Sequence, residues 1–255
     1  MATLHLLTPL DPCRSDFFDA AAASVDALRQ TLDTCRVEWW LGLDGVRASQ
    51  KVLARAKASG AHCLGLPKSG VTKTRSALIR EITATSGEDS WLAPFDADDE
   101  LVPQGWQEVW DSWERDIGWV GLNREYVGVT RSPRQSFVTE NQDFASGELP
   151  WERPLAFHPN SILVRSSLAA RVPYPENLNY HEDLAWALAL SSYAPGTIRT
   201  PITLHYRTWA GQLVQEEEYS NKRARALRAQ RMEDYINGHR RSLGLPGVSV
   251  PMGWV

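Results

Sequence analysis

With 255 residues, 43% of them apolar and 23% charged, and a net charge of -4, the chain can bury one large core and has an ordinary globular composition. The mild charge excludes an electrostatic nucleic-acid binder, and no run reaches the roughly 18 apolar residues of a membrane span. Cys13, Cys35 and Cys63 are too few and too scattered for a disulfide framework or a zinc knuckle, and "MATLHLLTPLDP" lacks a basic leader stretch, so a cytoplasmic protein without an integral membrane segment is expected.

The first hundred residues alternate strand and helix signals. "LHLLTPL" reads as a buried strand. "SDFFDAAAASVDALRQTL" follows as a helix, with Ser15 or Asp16 as N-cap and Phe17, Phe18, Ala21, Val25, Leu28 and Leu32 near helical spacing. "VEWWLGLDG" is a second strand ending in an Asp-Gly turn. "VRASQKVLARAKASG" is a helix closed by Gly60. "AHCLGLP" is a third strand, "VTKTRSALIREITATSG" a third helix and "SWLAPFD" a fourth strand. Such alternation predicts βαβ units and a largely parallel sheet.

Beyond residue 101 the pattern loosens. "VPQGWQEVWDSWERD" starts a helix near Pro103 and sets Trp106, Val109, Trp110 and Trp113 on one face. "GWVGLNREYVGVT" reads as one or two strands, 131–150 as polar loop, and "LAFHPNSILVRSSLAARV" as a strand turning into a short helix. "HEDLAWALALSSYAPG" is a helix and "TIRTPITLHYRTW" a strand. "QEEEYSNKRARALRAQRMEDYINGHRRSL" is a charged helix, acidic first and basic later, as its macrodipole favours. The eleven Trp are mostly strand and helix-stripe residues, so core packing is their expected role.

The stretch "SWLAPFDADDEL" sets Asp96, Asp98, Asp99 and Glu100 directly after an apolar strand. Ligands of open α/β sheets sit beyond the carboxyl ends of strands, where both Asp44 and Asp96 fall. An EF-hand loop fails, because counting from Asp96 the required Gly is Leu101 and the required Glu is Gln107. An aspartyl-nucleophile phosphatase would want a hydroxyl residue where Glu100 stands. "FDADDEL" instead resembles the Asp-x-Asp signature of GT-A glycosyltransferases, in the DxDD form of family 2.

Other segments resemble the same family in the same order. Thr8 and Pro9 end the first strand, where the family begins its nucleotide site. Asp44 in "GLDG" takes the place of an acid that contacts base or ribose, with Leu43 where the family has a second acid. "KSGVTKTRSALIREI" keeps Gly70, Arg75 and Ser76 of a family stretch, and Arg75 is expected to brace the diphosphate or the acidic turn. In "YHEDLAWALAL", Asp183 matches the family's general base and Glu182 its neighbour, the fallback for that role. "LHYRTWAGQLV" keeps Tyr206, Arg207, Gly211 and Gln212, but Trp209 holds the usual His position and His205 lies four residues earlier.

The resemblance implies a mixed, mainly parallel GT-A (Rossmann-like) α/β sheet flanked by helices, with a C-terminal helix. It covers 1–213, with a nucleotide-sugar half at 1–101 and an acceptor half at 102–213; 214–255 is a helical extension. It implies a metal-dependent, inverting transfer of sugar from a nucleoside-diphosphate sugar, UDP-sugar favoured, to an acceptor hydroxyl. Thr8, Pro9, Asp44, Arg75, Asp96 and Arg207 fall on the donor side. Asp98, with Asp96 and His205, would hold Mn²⁺ or Mg²⁺, hard cations that prefer carboxylate oxygens. Trp151, His158 and Asn160 in "WERPLAFHPNS" are the expected contacts of a small-molecule, peptide or glycan acceptor. Two rivals stand beside this reading. A nucleotidyltransferase would carry a Gly-rich phosphate loop where "TPLDPCRSD" stands, and a degenerate, non-catalytic nucleotide-binding protein is in keeping with Leu43 and Trp209.

Overall fold

A computed structural model describes residues 1–10, 17–45, 50–87, 90–112, 116–128, 138, 140–150, 161–178, 181–208 and 222–250. Strand β1 (Ala2–Leu10) is buried continuously from Leu4 to Leu10, as a central strand covered on both faces must be. It pairs in parallel with β2 (Cys35–Asp44) on one side and β4 (Ser90–Pro94) on the other, and β2 pairs in parallel with β3 (His62–Leu66). Helices α1 (Phe18–Thr31), α2 (Gln50–Ala58) and α3 (Val71–Thr85) connect these strands. Phe18, Ala21, Ala22, Val25 and Leu28 form the buried face of α1. Phe17 holds its N-cap position without a side-chain cap, and the expected caps Ser15 and Asp16 lie outside the described residues. Gly60 follows α2 at φ 60°, the left-handed geometry expected of a helix stop.

The second half is mixed. After β5 (Glu100–Leu101), α4 (Pro103–Ser112) begins at Pro103 as expected. Then come β6 (Trp119–Gly128), β7 (Gln142–Phe144), β8 (Ile162–Arg165), α5 (Ser166–Arg171), α6 (Glu182–Tyr193), β9 (Gly196–Thr208) and α7 (Lys222–Ser242). The sheet order is β3-β2-β1-β4-β8-β6-β9-β5, with β7 on β9. β8 is antiparallel to β4 and β6, whereas β6 and β9 run parallel. Within "GWVGLNREYVGVT" the described residues thus form one strand, Trp119–Gly128, with the register to β9 shifting on both sides of Asn123. The Asn123 amide nitrogen donates to the Thr200 carbonyl at 2.6 Å, and its side-chain oxygen accepts from the Arg124 N–H at 2.9 Å. The stretch expected as loop contains β7, because Phe144 buries itself beside Trp119, ring centres 5.7 Å apart, while its neighbours pair with β9.

One apolar layer joins β1, β2 and β4 to α1 and α4, and the other joins the sheet to α3, α5 and α6. Trp39, Trp91 and Trp106 are buried in the first layer as expected, with Trp39 stacked on Phe18 at 5.2 Å. Trp113 lies outside the described residues. Helix α4 lies on β9 so closely that a Cβ on Gly105 would meet the Ile202 carbonyl at 1.8 Å, so only glycine fits there. Helix α7 packs Ala229, Met232 and Ile236 against α6. Among the described residues no helix is long and apolar enough to cross a membrane.

Candidate active site

Strand order reverses between β1 and β4, which opens a crevice beyond their carboxyl ends. The chain leaves β4 there and turns sharply, the Asp99 N–H donating to the Asp96 carbonyl at 3.1 Å, before β5 pairs with β9. The turn gathers Asp96, Asp98 and Asp99 so that one carboxylate oxygen of each lies within 4.8 Å of the others. Asp98 and Asp99 are buried. Burial, then the neighbouring Asp98 and Asp96, push the Asp99 carboxyl well above the usual carboxylate range.

Three arginines answer this charge. Arg75 on α3, only 3% exposed, donates from Nη2 to Asp96 at 2.6 Å and from Nη1 to Glu182 at 2.9 Å and the Tyr174 hydroxyl at 3.3 Å. It thereby braces the acidic turn, one of its two expected roles, and ties that turn to the start of α6. Arg207 on β9 donates its backbone N–H to Asp99 at 2.9 Å and its Nε to the Asp98 carbonyl at 3.1 Å, and its guanidinium pairs with Glu100. Arg124 on β6 is 1% exposed, its guanidinium 4.0 Å from the Tyr206 ring centre and 4.5 Å from that of Tyr126. Its Nη2 donates to the Tyr126 hydroxyl, while Nε and Nη1 are buried without a hydrogen-bond partner among the described residues, so Tyr126, the Tyr206 ring and the nearby Asp99 are what offset its desolvation.

Glu182 and Asp183 open α6, where the helix dipole favours acids. His181 before them has φ 58° and ψ 20°, the one left-handed non-glycine among the described residues. Asp183 accepts the Leu184 N–H at 2.8 Å. Burial and then the charge of Asp183 push the Glu182 carboxyl up to about 8, against the pull of Arg75.

The other expected site residues are spread more widely. Thr8 is fully buried and its hydroxyl accepts the Trp39 indole N–H at 2.9 Å; Pro9 is buried beside it in β1. Asp44 accepts the backbone N–H groups of Ser69 at 2.6 Å and Gly70 at 3.0 Å, which fixes the loop leading into α3. His205 is not among the three converging carboxylates: its Nε2 stands 3.7 Å from Glu125. Trp151, His158, Asn160, Trp209, Gly211 and Gln212 lie outside the described residues.

Sequence reasoning gave no role to Asp99, Arg124 or Tyr174. Asp99 carried a signal, as the third acid of the turn. Arg124 and Tyr174 carried none, because no motif marks either residue and each joins the site only through the fold. Chemically, three carboxylates set among buried arginines form an oxygen-only donor set, with an acid on an adjacent helix start.

No protein-family model matches the chain, and no curated protein matches it in sequence. Solved structures do. The S. aureus TarS 1–349 structure in complex with UDP superposes with a TM-score of 0.61 at 12% identity, covering 94% of this chain and 72% of that one. GalNAc-T7 with UDP, GalNAc and Mn²⁺ superposes with a TM-score of 0.56 at 10% identity, covering 96% of this chain and 52% of that one. At such identities the likeness establishes architecture: a mixed α/β sheet flanked by helices, closed by a C-terminal helix, which is the GT-A glycosyltransferase fold.

Proposed function

We propose that the chain is a metal-dependent, inverting glycosyltransferase of the family-2 type, moving a sugar from a nucleoside-diphosphate sugar to an acceptor hydroxyl. The observation that carries this reading is the convergence of Asp96, Asp98 and Asp99 at the switch point, bridged by Arg75 to the acids opening α6. UDP is the favoured nucleotide, since TarS and GalNAc-T7 were both solved with it.

The residues fit a hard divalent cation. Every donor is a carboxylate oxygen, and burial beside like charges makes the ionised turn costly until a positive charge joins it. Asp98, with Asp96 and Asp99, would hold Mn²⁺ or Mg²⁺. When bound, such an ion neutralises the diphosphate and stabilises it as a leaving group.

The protein's own groups do the rest. Asp183 accepts the proton of the attacking hydroxyl, a role worth about 10²–10⁴-fold. Glu182, paired with Arg75, orients the helix start that presents Asp183. Asp44 and Asp96 meet the nucleoside. Arg207 holds the acidic turn through Asp98, Asp99 and Glu100 and so positions the donor side. Thr8 supports that side from within the core.

The test is a thermal-shift series with UDP and Mn²⁺, followed by hydrolysis of a panel of nucleotide sugars. Ligand at about 100 times its Kd should stabilise the fold by about 2.7 kcal/mol. That gain should vanish in EDTA and in Asp98→Ala. Absence of stabilisation by any nucleoside diphosphate with Mn²⁺ would overturn the reading, and stabilisation with no turnover of any donor would leave a nucleotide-binding protein.

A further inference from the structure

An arginine withdrawn from water ordinarily spends its donors on carboxylates, carbonyls or bound water. Arg75 does so beside the acidic turn, bonding Asp96, Glu182 and Tyr174. Arg124 does not. It is 1% exposed, yet it donates to the Tyr126 hydroxyl while Nε and Nη1 stay buried without a partner among the described residues. Burying a guanidinium so poorly satisfied is costly. What the site gains from it lies in the charge itself.

The fold sets that charge beside the turn. Leu204 on β9 pairs with Arg124 on one side and with Leu101, two residues past Asp99, on the other. Tyr126 and Tyr206, paired with one another, hold the guanidinium 4.5 and 4.0 Å from their ring centres. Asp99 feels it: against burial and the charges of Asp98 and Asp96, the Arg207 N–H and then Arg124 favour its ionised form. Among the described residues no hydrogen bond joins Arg124 to a carboxylate of the turn. Arg75 and Arg207 shape the turn through direct bonds, so removing either changes charge and geometry together. Arg124 acts on the turn by charge.

A fixed positive charge behind Asp99 repels a cation held by the turn and attracts an anion held by that cation. It also helps the cation indirectly, by favouring the Asp99 carboxylate. The ion carries two charges and Asp99 one, so the repulsion outweighs that help even with the ion a metal–oxygen bond of about 2.1 Å further off.

We propose that Arg124 is a counter-charge built into the acidic turn, which lowers the turn's affinity for a free divalent cation and raises its affinity for the diphosphate that accompanies the ion. The cation then enters and leaves with the nucleotide. The diphosphate half rests on the transferase reading; the cation half rests on the turn alone.

The test titrates metal-free protein with Mn²⁺ at constant ionic strength and reads the free ion by its EPR signal. Arg124→Met, and Arg124→Gln, which keeps a donor for Tyr126, should bind Mn²⁺ alone about tenfold more tightly than wild type. UDP added at saturating Mn²⁺ should bind both variants about threefold more weakly. Arg124→Lys keeps the charge and should stay within about twofold of wild type for both ligands. Arg165→Met removes an arginine held over the Trp91 ring, near the start of β4 and away from the turn, and should change neither. A disturbed fold would weaken both ligands together, so opposite shifts report charge. Mn²⁺ binding unchanged or weakened in the neutral variants, or tightened equally by Arg124→Lys or Arg165→Met, would overturn the proposal. UDP binding undiminished in the neutral variants would overturn its diphosphate half. If UDP with Mn²⁺ fails to bind even the wild-type protein, the transferase reading falls, while the Mn²⁺ titration still decides whether Arg124 opposes the cation.

Discussion

The two halves of the sheet reach the candidate site by different routes. The first half climbs by regular βαβ steps and ends in a turn that places Asp96, Asp98 and Asp99 next to one another in sequence. The second half returns antiparallel through β8 and then brings β6 and β9 in parallel, delivering Arg124, Tyr206 and Arg207 to the same rim. Negative charge is thus assembled locally and its compensation arrives from afar. Arg75 meets Asp96 across 21 positions of sequence, and Arg207 meets Asp98 across 109. Carboxylates in a short turn would repel one another in a free peptide; the rest of the fold is what makes them tolerable together.

The sharpest way to probe this contrast is at the far end of the bridge. Asp183→Asn should lower transfer by about 10²–10⁴-fold while leaving donor binding near wild type, since the residue acts on the acceptor proton; single-turnover kinetics beside UDP titration would show it. Unchanged turnover would remove Asp183 from the base role. Next comes Arg75→Met. It strands Asp96 and Glu182 without their shared cation, and removing one member of a buried pair costs about 3–5 kcal/mol, measurable by urea unfolding. A loss below 1 kcal/mol would mean the acids find compensation locally after all.

A third experiment uses pH. The Glu182 carboxyl titrates at about 8 in the folded protein, well above its ordinary value near 4.5. Between those two values the folded chain holds a proton that the unfolded chain has released, so this group's contribution to stability falls as pH rises. The Tm advantage of Glu182→Gln over wild type should therefore grow from about pH 5 to pH 8; a constant difference would show that Glu182 is ionised throughout. The smallest effect is expected at Thr8→Val, which leaves the buried Trp39 N–H without its acceptor and should cost about 1–3 kcal/mol with unchanged UDP affinity. A drop in UDP affinity larger than the stability loss explains would return Thr8 to the nucleotide site.

The same contrast decides how much was legible in the sequence. The first four strands and three helices announce themselves by their own apolar patterns, buried in all of them but the edge strand β3, and their ends locate Asp44 and the acidic turn. Arg75 and Glu182 were recognisable as site residues, but their direct pairing was not, because a contact spanning 107 positions has no local trace. Arg124 lies between Asn123 and Glu125 in β6, where nothing local tells an arginine that will be buried from one that stays in solvent. β7 was hidden for the opposite reason: three residues are too few to show a period, and only Phe144 and the β9 edge make them a strand. Thr8 matched its expected place by order, with its hydroxyl on the Trp39 indole, whereas His205 stands four residues before the usual His position and beside Glu125.

The paired slips around Asn123 have a consequence for what faces the acids. Strand side chains alternate, so one skipped partner flips every later residue to the other side. From Gly121 to Arg124 β6 advances three residues while β9 advances six, from Ile198 to Leu204, so the extra residues lie in β9, and the Asn123 amide donates to the Thr200 carbonyl among them. Being odd in number, they turn the later side chains of β9 over relative to β6, so the ring that covers the Arg124 guanidinium from across the sheet, Tyr206, owes its side to a parity set in β9.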